Sequence, residues 1–214
     1  MTKTKEWAES FNIDTQDILP QSEEIIESYC RTASEVAIRT IILHSIVAAG
    51  AGIDRERIIG WLEDQSLWDN VSPRERAVLQ SPMRFREDRS GAQWLQEAQW
   101  ALLWTIQRVK SLGLPTKTCD SVKLVDEIMP VLGGDDIDRF IASAEFRPAT
   151  EICAENDRIS RLYYYTRQAV DNEEEMPEDL IYSVLYHRYY VFRWLISNDP
   201  WDDVDMSIDD LNYD

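Results

Sequence analysis

The residues of this chain that could do chemistry are few, and they stand among apolar neighbours. Glu97 lies in WLQEAQWALLW, one helical turn from both Trp94 and Ala101. A carboxylate on such a face either pairs with a cation or has its pKa raised by desolvation. The available cations are arginines in apolar helical stretches: Arg39, Arg158, Arg167 and Arg188. Two readings follow. In the first, Glu97 and an arginine form a buried ion pair that fixes how two helices pack. In the second, Glu97, Arg39, Arg167, Arg188 and His187 line a polar pocket in which a guanidinium grips an anionic ligand through two parallel N–H bonds.

His44 and His187 are the two histidines. His44 sits in the apolar run IILHSIV and reads as a core residue. His187 sits in LYHRYY, the one place with the aromatic and charged company of a general base. No nucleophile or metal partner has a recognisable spacing to it. The chain lacks HExxH, GxSxG and any glycine-rich phosphate loop. Asp202, Asp203, Asp205, Asp209 and Asp210 lack the spacing and glycine of a calcium loop, which leaves a solvated acidic tail. Cys30, Cys119 and Cys153 are far apart and odd in number, as expected of reduced thiols. No metal, no cofactor and no catalytic set are expected.

Binding signals are stronger. The chain of 214 residues has 40 Asp+Glu against 22 Lys+Arg, a net charge of −18. From Asp171 onward there are 13 acids against Arg188 and Arg193, so −11 of the total lies there. Such a surface repels nucleic acid and anionic lipid, and it reads equally as attraction for a basic partner or as solubility alone. Seven tyrosines crowd the last two predicted helices, and Tyr182, Tyr186 and Tyr189 share a face at i, i+4 and i+7. They read equally as an unusual core or as a rigid contact surface, since tyrosine and tryptophan dominate binding hot spots. The contact candidates are Tyr182, Tyr186, Tyr189, Tyr190, Trp201, Asp202, Asp203 and Asp205.

Helices must position all of these. Glycine is scarce, at seven residues, and apolar spacing near 3.6 recurs along the chain. The pattern predicts an all-α fold of about eight helices packed around one central buried helix over residues 90–112, from Ser90 to the break at Gly113 and Pro115. Trp94, Ala98, Leu102 and Val109 are its expected buried face, with residues 81–89 as a charged loop before it. Ser34, Asp54 and Ser72 are the expected caps of earlier helices, Ser72 with Glu75 forming a capping box. Pro130 should stop the helix that Asp120 opens, and Pro148 and Pro177 should start the last two. The domain plan is an N-terminal arm over 1–20, a single domain over 21–197, and an acidic tail over 198–214, loosely held unless Trp201 and Val204 dock it. Neither a signal peptide nor a membrane span is expected, which fits a cytoplasmic protein.

One resemblance covers about residues 20–205. RTASEVAIR at 31–39, Ile58-x-x-Trp61-Leu62, Ser72-Pro73-x-Glu75, Trp94-x-x-Glu97-Ala98 with Leu103-Trp104, Arg147-Pro148, Asp157-Arg158, Arg167, Arg188 with Trp194-Leu195, and Trp201-Asp202-Asp203 stand in order. This ordered set resembles the bacterial family known as domain of unknown function 4272. The resemblance implies a helical cytosolic domain and leaves the activity open. It also adds weight to Glu35, Arg39, Glu97, Arg147, Asp157, Arg167 and Arg188. The expected function is a non-enzymatic binding protein, of immunity or antitoxin-like type, for a basic protein. The rivals are an enzyme or small-ligand binder using the Glu/Arg/Tyr pocket, and a subunit of a homo-oligomer. The oligomeric state is left open.

Overall fold

A computed structural model describes residues 30–134, 136–173 and 179–207, with side chains described for all of these except residues 82–90. The predicted arm over 1–20, the first residues of the predicted domain (21–29) and the end of the tail lie outside the described residues. Every regular element among the described residues is helical, as the glycine-poor, 3.6-periodic sequence requires. In order they are α1 (Ala33–Gly50), α2 (Arg55–Asp64), α3 (Pro73–Gln80), α4 (Pro82–Thr105), α5 (Ser121–Lys123, extended as a π turn over Leu124–Ile128), α6 (Ile137–Ala142), α7 (Ala149–Asp171) and α8 (Tyr182–Ile196). Short 3-10 turns lie at Trp68–Asn70 and Trp201–Asp203.

α4 is the centre. It packs most closely on α1 and then on α8, which in turn packs on α7. Where α1 crosses α4 the backbones nearly touch: a Cβ added to Gly50 would lie 2.9 Å from Ala92 Cβ. α1 is apolar nearly all round, and 13 of its 18 residues are buried. By length and composition it could cross a membrane, but here it is a core helix carrying Arg39 and His44. Leu43, Ile42, Leu102, Leu103, Phe192 and Leu195, all fully enclosed, join α1, α4 and α8 into one core.

Local signals set most boundaries. Asp54 caps α2 through the N–H of Arg57, and Ser72 and Glu75 form the reciprocal capping box of α3. α5 stops at Ile128, two residues before Pro130, and α7 begins directly after Pro148. Other boundaries differ from expectation. α1 is capped by Thr32 with Glu35, two residues before Ser34, because that pair closes a full capping box. The charged stretch 82–89 continues α4 as helix, with Pro82 at the first helical position. α4 then ends at Thr105, well short of Leu112. Gln107 takes a left-handed φ of 62°, and the N–H of Arg108 reaches back five residues to Leu103. Ile106, Val109 and Leu112 keep helical spacing and are 2%, 3% and 6% exposed, yet they hang from an irregular segment. α8 starts at Tyr182, five residues after Pro177.

The expected buried face of α4 holds at Ala98, Leu102 and Val109 but fails at Trp94, which is 36% exposed. Every residue from Glu97 to Ile106 is buried, and Trp94 lies one turn before that stretch. Within that stretch, Trp104 packs edge-on against Phe192 at 6.2 Å, and the Arg147 guanidinium lies over its other side at 4.7 Å. Trp104→Ala is expected to cost about 3–5 kcal/mol, as other buried aromatic truncations do. Reversible urea denaturation checks this; a loss below about 1 kcal/mol would place the core elsewhere.

Candidate functional site

Glu97 is 2% exposed on the inner face of α4. Its Oε1 accepts the backbone N–H of Cys119 at 2.6 Å. Its Oε2 lies 3.8 Å from Nη2 of Arg188, beyond hydrogen-bond range, and has no donor among the described residues. Arg188, 1% exposed on α8, directs its two Nη groups to backbone: Nη1 donates to Gly113 at 2.8 Å and Nη2 to Leu112 at 2.9 Å. The N–H of Ile181 bonds the carbonyl of Pro115 at 2.9 Å. Arg188 thus fastens the irregular segment after α4 to α8, and Glu97 balances its charge and holds the next part of that segment at Cys119. Burial lowers the Arg188 pKa, against the pull of Glu97, Glu155 and Cys119. Burial together with Glu97 pushes the Cys119 thiol up to about 12, so it is no nucleophile at neutral pH.

The other pocket candidates are elsewhere. Arg39 pairs with Glu75, its Nη2 lying 2.7 and 2.6 Å from the two carboxylate oxygens, and its guanidinium lies 4.9 Å from the Trp201 ring. Arg158 pairs with Glu155 at 2.7 Å along α7. Burial raises the Glu155 carboxyl, although Arg158 and Arg188 oppose it. Arg167 is exposed and pairs with Asp171 at 3.1 Å. His187 meets the edge of Tyr186 at 5.3 Å, and burial lowers its pKa to about 4. Of the five candidates, the structure joins Glu97 with Arg188 alone. No group of three metal-ligating side chains occurs among the described residues.

The aromatic candidates divide. Tyr189 is core, 1% exposed and stacked on Tyr163 at 4.3 Å. Tyr182, Tyr186 and Tyr190 form a half-buried row at i, i+4 and i+8, with ring spacings of 6.4 and 6.2 Å. The Tyr190 hydroxyl donates to the carbonyl of Trp201, and Trp201 packs edge-on against Tyr190 and Trp194 at 5.0 and 5.3 Å. Burial raises the Tyr190 pKa, keeping that donor protonated.

The start of the tail is therefore docked, through Trp201 and Val204, the two residues the sequence offers for it. Asp202 accepts the N–H of Arg74 at 2.8 Å, at the positive end of α3. Val204 is buried, while Asp203 and Asp205 stay exposed. The N–H and hydroxyl of Ser207 hold the Asp205 carboxyl below the usual range.

The sequence reading of the sites missed Cys119 and the pairing of Glu75 with Arg39. The capping box marked Glu75, but nothing in its spacing foretold a second bond from a residue 36 positions away.

Two imidazoles, His44 buried and His187 half-buried, give a pH test. His44 and His187 take up protons near pH 4 when folded and near 6.5 when unfolded. Between these values the unfolded chain binds more protons, so stability intact above pH 6.5 is lost as pH falls to about 4. The buried His44 contributes a loss on the order of 3 kcal/mol at the end of that window, and the half-buried His187 less. Glu155 acts in the opposite sense, so ring-proton NMR separates the effects. Both imidazoles should titrate near pH 4, and an ordinary titration near 6.5 would show them solvated.

Neither the curated proteins nor the solved structures contain a match to this chain. A family model described as "Domain of unknown function (DUF4272)" matches residues 1–204 of the 214, and the chain belongs to that family.

Proposed function

We propose that this chain is a non-catalytic binding protein that captures a basic protein, in the manner of an immunity protein or antitoxin-like inhibitor, and does so in the cytoplasm. The contact face is the row Tyr182, Tyr186 and Tyr190 with the docked turn at Trp201–Asp203 and the exposed Asp203 and Asp205. One observation carries the reading: half-buried aromatics at regular spacing stand beside exposed carboxylates, on the part of the chain with most of its negative charge. Tyrosines held by neighbouring rings lose little freedom on binding, and they supply apolar area with a polar tip. Exposed acids act on the encounter over about 8–10 Å at ordinary salt.

The ligand-pocket reading keeps one observation in its favour, the undonated Oε2 of Glu97. Against it, both Nη groups of Arg188 already hold carbonyls, and Arg39, Arg167 and His187 lie in other environments. An anionic ligand would have to displace bonds that hold the fold.

The test is affinity capture from the source cell with wild type and Tyr186→Ala side by side, then binding kinetics at two salt concentrations. Association should slow with salt, and Asp203→Asn with Asp205→Asn should slow it and flatten that dependence. Tyr186→Ala should speed release by roughly thirtyfold if it is a hot spot worth about 2 kcal/mol. A salt-independent association rate, or capture that Tyr186→Ala and the Asp variants leave unchanged, overturns the reading.

A further inference from the structure

Tyr186 stands at the centre of the aromatic row of α8, and its hydroxyl is unlike those of its neighbours. Four rings hold its own in place: Tyr182 at 6.4 Å, Tyr190 at 6.2 Å, Tyr163 at 6.3 Å and His187, edge-on, at 5.3 Å. None of these contacts uses the Tyr186 hydroxyl. The flanking hydroxyls are both engaged. Tyr182 donates to the Tyr163 oxygen at 3.5 Å, and Tyr190 donates to the carbonyl of Trp201. The Tyr186 hydroxyl has no hydrogen-bond partner among the described residues. It is not one of the enclosed unpartnered atoms either, so it meets solvent.

A phenol oxygen that is held in place and left unpaired is an acceptor for a donor from outside. The row itself shows which donor suits it. One step along, the Arg167 guanidinium lies against the Tyr182 hydroxyl, and that contact, followed by Asp171, raises the Arg167 pKa. The same preference recurs through the fold: the guanidiniums of Arg31, Arg39, Arg76, Arg108 and Arg147 each lie 4.7–5.3 Å from the centre of an aromatic ring. A guanidinium donates to a phenol oxygen and lies flat on a neighbouring ring at once, which a compact, strongly hydrated ammonium does not.

We propose that Tyr186 is the specificity-determining residue of the row: its hydroxyl accepts a hydrogen bond from an arginine side chain of the basic partner, whose guanidinium rests on the adjoining tyrosine rings. The inference rests on the basic-partner reading and adds the chemical group that the row selects. A net charge of −18 favours any cation and does not tell arginine from lysine. The free hydroxyl among fixed rings does, because it rewards a planar donor. Tyr182 and Tyr190 then act as walls, their own hydroxyls spent on Tyr163 and Trp201.

NMR of the full chain with isotope-labelled tyrosine rings tests this, by titration with N-acetyl-arginine amide, N-acetyl-lysine amide and the neutral N-acetyl-norleucine amide. The arginine probe should move the Tyr182, Tyr186 and Tyr190 signals at lower concentration than the lysine probe, and the norleucine probe should leave them in place. Tyr186→Phe keeps the ring and should keep the helical spectrum. Read from Tyr182 and Tyr190, it should bind the arginine probe roughly tenfold more weakly, as expected for one lost hydrogen bond to a charged group. Tyr164→Phe removes a phenol that Gln168 already holds and should change nothing. A lysine probe bound as tightly as arginine, a Tyr186→Phe titration like that of wild type, or a Tyr164 signal that moves together with Tyr186 would each overturn the proposal. Its failure is separable from that of the underlying reading. A captured basic partner that leaves Tyr186→Ala faster, but not Tyr186→Phe, keeps the reading and removes the role of the hydroxyl.

Discussion

A helical domain with long irregular connections must find a donor for each carbonyl where a helix stops, because a buried C=O without a partner costs about 1–3 kcal/mol. Here arginine supplies many of the donors, both at helix ends and in the irregular segments that follow them. Arg147 serves the end of α4, its Nε bonding Trp104, its Nη2 bonding Val109 and its own backbone N–H bonding Thr105. Arg188 serves Leu112 and Gly113, and Arg108 reaches Phe140 and Ser143 at the end of α6. Arg76 holds Val71 and Trp68, and Arg55 holds Leu79. Arg31 holds Trp194 and Asp199, and Arg193 holds Asp205. The planar fork of arginine makes such pairs geometrically natural, since two N–H groups can meet two successive carbonyls at once. Several of these guanidiniums also lie over an aromatic ring, so one side chain stabilises both a loop and a packing face. The stretches that these arginines hold are thereby fastened to helices distant in sequence.

That device explains which parts of the fold were legible. Caps and prolines act within four residues, so Asp54, Ser72, Pro130 and Pro148 could be read directly from the sequence. Apolar periodicity correctly marked α4 as the centre and its inner face at Ala98 and Leu102. The same periodicity misled beyond Thr105. Ile106, Val109 and Leu112 are buried as a helix would bury them, but Arg147 and Arg188 stabilise an irregular backbone there instead. These arginines donate to the carbonyls of Trp104 and Gly113 from 43 and 75 residues away, and no local window contains both partners. Pro177 misled in a simpler way: proline permits a helix start without requiring one, and α8 waits until Tyr182.

The polar residues show a similar division. That Glu97, Arg39 and Arg188 would be buried followed from their neighbours, and it is what the structure has. Their partners did not follow, because burial is a property of one position and pairing is a property of two distant ones. Glu75 takes Arg39 because α1 and α3 meet beside Trp201, a contact that the helix order alone leaves unspecified. Tyr189 shows the same limit. It shares a helical face with Tyr182 and Tyr186, yet the stack on Tyr163 makes it core while its neighbours remain half-buried.

The choice between arginine and lysine links the interior to the surface. Seventeen of the 22 basic residues are arginine. Those that cap carbonyls or pair with Glu75, Glu97 and Glu155 direct their donors inward, and a compact, strongly hydrated ammonium could not replace them without leaving carbonyls unmet. Positive charge is thereby drawn into the fabric of the fold, and the solvent-facing surface becomes more acidic than the ratio of bases to acids suggests. The described lysines, Lys110, Lys117 and Lys123, are all exposed. A partner that approaches by electrostatic attraction meets a surface on which carboxylates outnumber cations, the aromatic row of α8 included.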